Sequence, residues 1–372
     1  MNKILIKKKN NIYNYNYFYI NYEIDILSIS LELKRKELIK NIKNILKILL
    51  DKYNIDVNNV FPRWLMLQFN TKSYFFIDPI IPYINKNIDN KQLIKDIYYF
   101  TNNKQLNVNQ LLDKMNLKNK CNNAINILKQ FIKSKDYNKK EIVIITKNNN
   151  FYYLEYENYK YRLHEKVYNK LHKLYKLYNN VDKDIDTLIF CLIIRYDILE
   201  SYNQQLAVNL EFYNYLKINY NVNFELFASP LNCFFDNYCS LFYDIEKYFN
   251  SQGNFRNIRL NKGFYVANPP YDEHIMYKMT LKILKRLYKT KFDLSFIIII
   301  PGWTDTEYLE LLKKSQYLID IIKVEKKKAK FFDYYLYKII YPCDIFIILL
   351  QNKQGKEKYN INLKKTVDKF YH

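Results

Sequence analysis

Tyr265-Val266-Ala267-Asn268-Pro269-Pro270-Tyr271-Asp272 decides how the rest of the chain is read. Residues 265–267 favour an extended strand. The two prolines that follow lack the N–H that a ladder needs, so the strand ends at Asn268. From 272 to 288 apolar residues recur at helical spacing. Downstream the plan repeats: the apolar run 294–300 stops at Pro301-Gly302-Trp303, and a short helix is expected over 307–312. Upstream, 223–227 predicts a strand ending at Ala228-Ser229-Pro230, with a helix following as far as Tyr238. Residues 345–350 predict a last strand. Strands alternating with helices point to an α/β fold with an open sheet. Ligands of such sheets sit outside the carboxyl ends of the strands.

Composition sharpens the reading. Nearly half of the 372 residues are hydrophobic, too many for a disordered chain. Lys, Asn, Ile and Tyr dominate throughout, which suggests AT-rich coding, so part of the formal charge of +22 is codon bias. Positive charge attracts phosphate whatever its origin, and a nucleic-acid partner is expected. The bias also acts as a filter. Gly, Pro, Ala, Trp and Arg are scarce, yet they gather at Phe61-Pro62-Arg63-Trp64, Phe227-Ala228-Ser229-Pro230, Ala267-Asn268-Pro269-Pro270 and Pro301-Gly302-Trp303. The five cysteines form no CxxC pair, so no metal site is expected. The apolar runs at 294–300 and 344–350 are too short for a bilayer, and the N-terminus lacks a signal-peptide core. Neither a membrane nor secretion is expected.

Three regions are predicted. Residues 1–135 read as a basic, mainly helical domain and a possible RNA platform, with helical spacing over 24–50 and 92–132 and a proline-interrupted stretch at 75–84. Residues 136–352 carry the strand–helix alternation, beginning with a strand at 141–145, its hairpin partner at 151–156, and helices at 164–178 and 185–202. Residues 353–372 read as a basic tail.

The chemistry concentrates in Asn268-Pro269-Pro270-Tyr271. An adenine amine is a poor nucleophile because its lone pair is delocalised into the ring. The Asn268 amide oxygen and the Pro269 carbonyl can accept its two hydrogens and localise that lone pair. The prolines stiffen the loop, and Tyr271 offers a face for an unstacked base. Phe227-Ala228-Ser229-Pro230-Leu231-Asn232 stands where such enzymes hold the methionine part of a methyl donor, although the chain has no GxG. Arg63, Arg195 and Trp303 are weaker candidates for substrate contact; Arg162, Trp64 and His274 fit structural or solvated roles better.

These motifs carry a resemblance. Residues 190–196, 224–235, 267–271, 296–303 and 348–352, in this order and spacing, resemble the phosphorylated-CTD-interacting-factor family of cap-specific mRNA (2'-O-methyladenosine-N6-)-methyltransferases. The resemblance implies a Rossmann-like class I methyltransferase core preceded by a helical domain. It further implies S-adenosylmethionine as cofactor, capped mRNA as substrate and a nuclear location, with the cytoplasm as alternative. Only Trp64 and Trp303 are present, so no WW-mediated binding to the polymerase tail is expected. Tyr271 replaces the family's usual Phe, and the stretch before Ile345 is shortened. Three other readings remain open: an adenine methyltransferase of DNA or internal RNA, a protein glutamine methyltransferase, and an inactive RNA-binding scaffold. The positive charge disfavours the second and the intact tetrapeptide the third.

Overall fold

The computed structural model describes residues 21–22, 24, 26–68, 75–82, 90–101, 107–135, 137, 140–178, 183–200, 205–334 and 337–371. The described residues start with the parallel pair β1 (Asn21–Tyr22) and β2 (Phe75–Phe76) and, up to residue 133, the helices α1 (Ile29–Leu50), α2 (Phe61–Gln68), α3 (Lys91–Thr101), α4 (Val108–Met115) and α5 (Leu117–Lys133). Ser28 caps α1 by accepting the Leu31 N–H, and Leu31, Leu38, Ile42 and Leu46 form its buried stripe. Next come a three-stranded antiparallel sheet, β3 (Ile144–Asn148), β4 (Phe151–Tyr156) and β5 (Tyr159–His164), and helices α6 (Glu165–Tyr178) and α7 (Ile185–Ile198). One hydrophobic cluster joins all of this, from Ile24 to Leu199, and extends to Leu231, Tyr238 and Phe249. The domain boundary expected near residue 136 falls inside that cluster.

The remaining chain builds a mixed six-stranded sheet. In sequence order it contributes β6 (Leu206–Val208), α8 (Leu210–Tyr220), β7 (Phe224–Glu225), β8 (Asn237–Tyr238), α9 (Tyr243–Glu246), β9 (Gly263–Ala267), α10 (Glu273–Lys289), β10 (Leu294–Pro301), α11 (Glu307–Lys313), β11 (Leu318–Val324), β12 (Phe331–Asp333), β13 (Lys338–Ile340), β14 (Ile345–Gln351), α12 (Lys353–Tyr359) and α13 (Leu363–Tyr371). The spatial order is β11-β14-β10-β9-β7-β8. β8, β7, β9 and β10 are parallel, and β14 runs antiparallel between β10 and β11. Every residue of β9, β10 and β14 is buried, which explains their unbroken apolar runs. Alternate residues feed two cores. Tyr265, Phe296 and Ile298 meet Met279 and Ile283 of α10; Val266, Ile297 and Ile299 meet Phe212 of α8 and Val367 and Phe370 of α13. The fold is thus α/β, helices covering both faces of the sheet. β6, β12 and β13 form a small sheet of their own.

Three expectations are corrected here. No helix follows Pro230: a turn leads directly to β8. The Asn232 side chain accepts the Ser229 N–H at 2.7 Å, and the Glu225 carboxylate accepts the N–H groups of Phe234 and Phe235. Such local side-chain bonds compete with helix formation. The expected tail at 353–371 is two helices, the second burying Leu363, Val367 and Phe370. The strand expected at 141–145 lies at Ile144–Asn148. Of the expected segments, residues 25, 83–84, 102–106, 201–202 and 372 lie outside the described residues.

Candidate active site

Strand order alone creates a crevice. From β7 the chain goes to β8 on one side and then to β9 on the other, so the connections part at the carboxyl ends of β7 and β9. A cavity of about 460 Å³ opens there. It is lined by Phe227, Ala228, Ser229 and Asn232 after β7, Ser240 after β8, and Asn268, Pro269, Pro270 and Tyr271 after β9. The two motifs singled out in the sequence therefore share one cavity of small-molecule size. Pro230 and Leu231 are buried and do not line it.

The β7 turn is held by its own polar groups. Leu231 and Asn232 donate their N–H groups to Ser229 Oγ at 3.2 and 3.3 Å, and Ser229 Oγ donates to Gln205 Oε1 at 2.6 Å. From the outside, Lys170 of α6 donates to the carbonyls of Leu231 (2.9 Å) and Cys233 (3.1 Å). Desolvation pushes that ammonium below its ordinary value. Burial raises Glu225 to about 7. On the far wall the Phe227 and Phe255 rings lie 4.6 Å apart. Lys282 fixes the loop that carries Phe255 by donating to the carbonyls of Arg256 (3.0 Å) and Ile258 (2.8 Å), and burial lowers its ammonium to about 8. Lys170, Gln205, Phe255 and Lys282 carry no motif, so the sequence reading missed them; Glu225 stood in a quoted stretch but was given no role.

Asn268 is oriented by its nitrogen. Nδ2 donates to the Leu206 carbonyl at 3.3 Å, and a carbonyl can only accept, so the amide's direction is set. Its Oδ1 is buried without a hydrogen-bond partner among the described residues, as is the Tyr271 hydroxyl. Burial pushes the Tyr271 phenol far above its ordinary value, so the ring is neutral. Behind the loop, the Asp272 N–H donates to the Pro270 carbonyl at 2.8 Å while its side chain caps α10.

The outlying candidates separate by environment. Arg63 lies outside the cavity lining and bridges Asp272 (2.8 Å) and Asp96 (3.0 Å), bracing the loop from α2. Arg195 is a correction: it is fully buried, and its guanidinium is held by Glu32 and Asp244, so it cannot grip substrate. Trp303 is 40% exposed with its ring 6.5 Å from Tyr271. Gly302 allows that placement, because a Cβ there would come within 2.8 Å of the Asp344 Cβ. His274 lines the cavity from the first turn of α10. Trp64 is core, with its Nε1 donating to Asn90. Arg162 is exposed and lies over the Phe151 ring.

Residues 170–334 match the family model described as phosphorylated CTD interacting factor 1 WW domain. In this chain that span runs from α6 to the small sheet and contains both lining motifs. A Mus musculus protein named mRNA (2'-O-methyladenosine-N(6)-)-methyltransferase is 34% identical over 134 residues, covering 34% of this chain and 19% of that protein. A Homo sapiens protein of the same name is 30% identical over 177 residues, covering 45% of this chain and 25% of that protein. The chain thus spans a quarter or less of the length of these relatives. Over residues 170–334, then, this chain is similar to the phosphorylated CTD interacting factor family.

Proposed function

We propose that this chain is an S-adenosylmethionine-dependent methyltransferase acting on N6 of the 2'-O-methyladenosine beside the mRNA cap, on a Rossmann-like class I core. The observation that carries this reading is the buried, unpartnered Oδ1 of Asn268, a residue that lines the same cavity as the β7 turn. A buried acceptor left without a donor costs about 1–3 kcal/mol, and a ligand N–H removes that cost. An adenine amine supplies such an N–H. Acceptance by Asn268 Oδ1 and by the Pro269 carbonyl draws the amine toward a tetrahedral nitrogen whose lone pair is free to attack. The neutral Tyr271 ring stacks on the base and does not act as a proton acceptor. When bound, S-adenosylmethionine supplies an electrophilic methyl group; Phe227, Ala228, Ser229 and Asn232 would hold it. The small side chains of Ala228 and Ser229 admit close approach where a glycine-rich turn is missing.

Two further observations support the reading. The parallel run β8-β7-β9-β10, with its chain reversal at β7, is the arrangement in which ligands occupy the carboxyl edge. The relatives' names specify N6 of 2'-O-methyladenosine in mRNA, and the lysine excess suits a polyanion. The basic helical half adds a platform beside the core for the RNA 5′ end. The test is incubation with methyl-labelled donor and capped RNA, uncapped RNA, DNA or protein, followed by digestion to nucleosides and amino acids. Label in N6-methylated 2'-O-methyladenosine from capped RNA alone is expected; label confined to DNA, uncapped RNA or protein contradicts the proposal.

A further inference from the structure

The carboxyl edge of the sheet continues past the cavity. β10 and β11 are both antiparallel to β14, so they point the same way, and Pro301 and Val324 both pair with Ile345. Moving along this edge from the Asn268 loop, the next groups are Gly302 and Trp303 after β10, then Tyr341 and Asp344 before β14, then Lys326 and Lys327 after β11. They are physically linked. Trp303 stands 6.5 Å from Tyr271. The Gly302 N–H donates to the Asp344 carbonyl at 2.7 Å, and Asp344 Oδ1 accepts the Lys326 N–H at 2.8 Å. Lys323, Lys326, Lys327 and Tyr341 line a shallow cleft with Glu325 and Asp344.

Single exposed aromatics need no explanation. Here two occur on one edge, Trp303 at 40% and Tyr341 at 44% exposure, beside exposed lysines and next to the tyrosine of the base pocket. Trp303 is also one of only two tryptophans, and the other is core. Carboxylates are present as well: Asp344 pairs with Lys323 at 2.9 Å and Glu325 with Lys327 at 3.0 Å, while Asp305 is exposed in the Trp303 loop. Surface pairs of this kind are worth little, and a phosphate competes well for the same ammonium groups.

We propose that this edge is the track for the single-stranded RNA that carries the target adenosine. A base neighbouring the target stacks on Trp303, and the phosphates beyond it pass Lys323, Lys326 and Lys327, with Tyr341 as a second stacking face. The inference rests on reading the adjoining cavity as a methyl-transfer site. It places substrate contacts on the core itself, beyond any contribution of the helical half.

The test uses the full chain with Trp303→Ala, and separately with Lys326→Glu plus Lys327→Glu. The probes are a short capped RNA opening on 2'-O-methyladenosine and, for the donor site, S-adenosylhomocysteine. Trp303→Ala should raise KM for RNA about tenfold or more while kcat stays within a few-fold, and Trp303→Phe should recover most of the loss. The lysine reversal should reduce the slope of log KM against log salt by about 1 or more. S-adenosylhomocysteine affinity should not change in any variant. If wild type methylates the RNA and the variants keep its KM and salt slope, the track is overturned and the cavity reading stands. Variants that lose S-adenosylhomocysteine binding together with RNA affinity point to distortion and also overturn it. If wild type neither binds S-adenosylhomocysteine nor methylates RNA, the cavity reading fails and takes the track with it.

Discussion

The helical cluster and the carboxyl edge of the sheet both bury polar side chains, and the Glu32 network of the first and the Asn268 loop of the second treat them in opposite ways. In the cluster, Glu32 accepts from Arg35 Nη1 at 2.7 Å and from Arg195 Nε at 2.9 Å. Arg35 donates to Asp78, and Arg195 to Asp244. Apart from one nitrogen of Arg35, this fully interior network is satisfied. At the carboxyl edge, Asn268 Oδ1 and the Tyr271 hydroxyl find no partner among the described residues. Polar burial by itself therefore does not mark a site. A satisfied network ties elements together, whereas an acceptor held in place and left open next to a cavity points to a ligand.

The largest expected effect breaks the satisfied side. Arg195→Met strands Glu32 and Asp244 in the interior and should cost about 3–5 kcal/mol in chemical denaturation. Activity per folded molecule should change little. Retained stability with lost activity would return Arg195 to the substrate. Next, Asn268→Ala should lower kcat by about 10²–10³. Its stability should change little, because losing the unpaired buried acceptor offsets losing the Nδ2 bond to the Leu206 carbonyl. Wild-type turnover in that variant would sink the proposed role.

Lys170→Met probes the join between the two regions, since Lys170 reaches from α6 to the donor turn. Calorimetry should give a dissociation constant for S-adenosylhomocysteine about tenfold higher, as two carbonyls lose a charged donor. Unchanged affinity would make Lys170 a packing residue only. The smallest effect is on pH dependence. Glu225 and Glu246 are raised by burial from 4.5 to about 7. Between those values the folded protein holds protons that the unfolded chain releases. Their contribution is therefore fully present below pH 4.5 and is lost as pH rises through 7. Glu225→Gln should flatten that decline by on the order of 1 kcal/mol in urea titrations across this range. A steeper decline would contradict the assignment.

What the sequence made legible follows from burial. β9, β10 and β14 are covered on both faces, so their apolar runs read directly as strands. β11 was missed because it is an edge strand with Asp320 and Lys323 among its apolar residues and a register shift between Leu318 and Asp320. The turn after Pro230 reads as a helix until the Ser229–Asn232 bond and the reach of Glu225 are seen. The cavity motifs were legible because scarce residues gathered at strand ends. The same scarcity misled at Arg195, whose partner Glu32 lies 163 positions away and cannot be inferred from local spacing. Lys170, 61 positions before Leu231, reaches the site from a distant part of the chain in the same way.

The central claim is that the cavity shared by the β7 turn and the Asn268 loop is a methyl-donor site. Titration calorimetry of S-adenosylhomocysteine into the folded chain tests it most directly, paired with Ala228→Trp, which fills the cavity from the turn without removing the Ser229 bonds that hold it. The account predicts one-site binding to wild type, a rise in thermal stability with ligand concentration, and loss of both in the filled variant. Folded wild-type protein that binds no S-adenosylhomocysteine, with or without capped RNA, would contradict it.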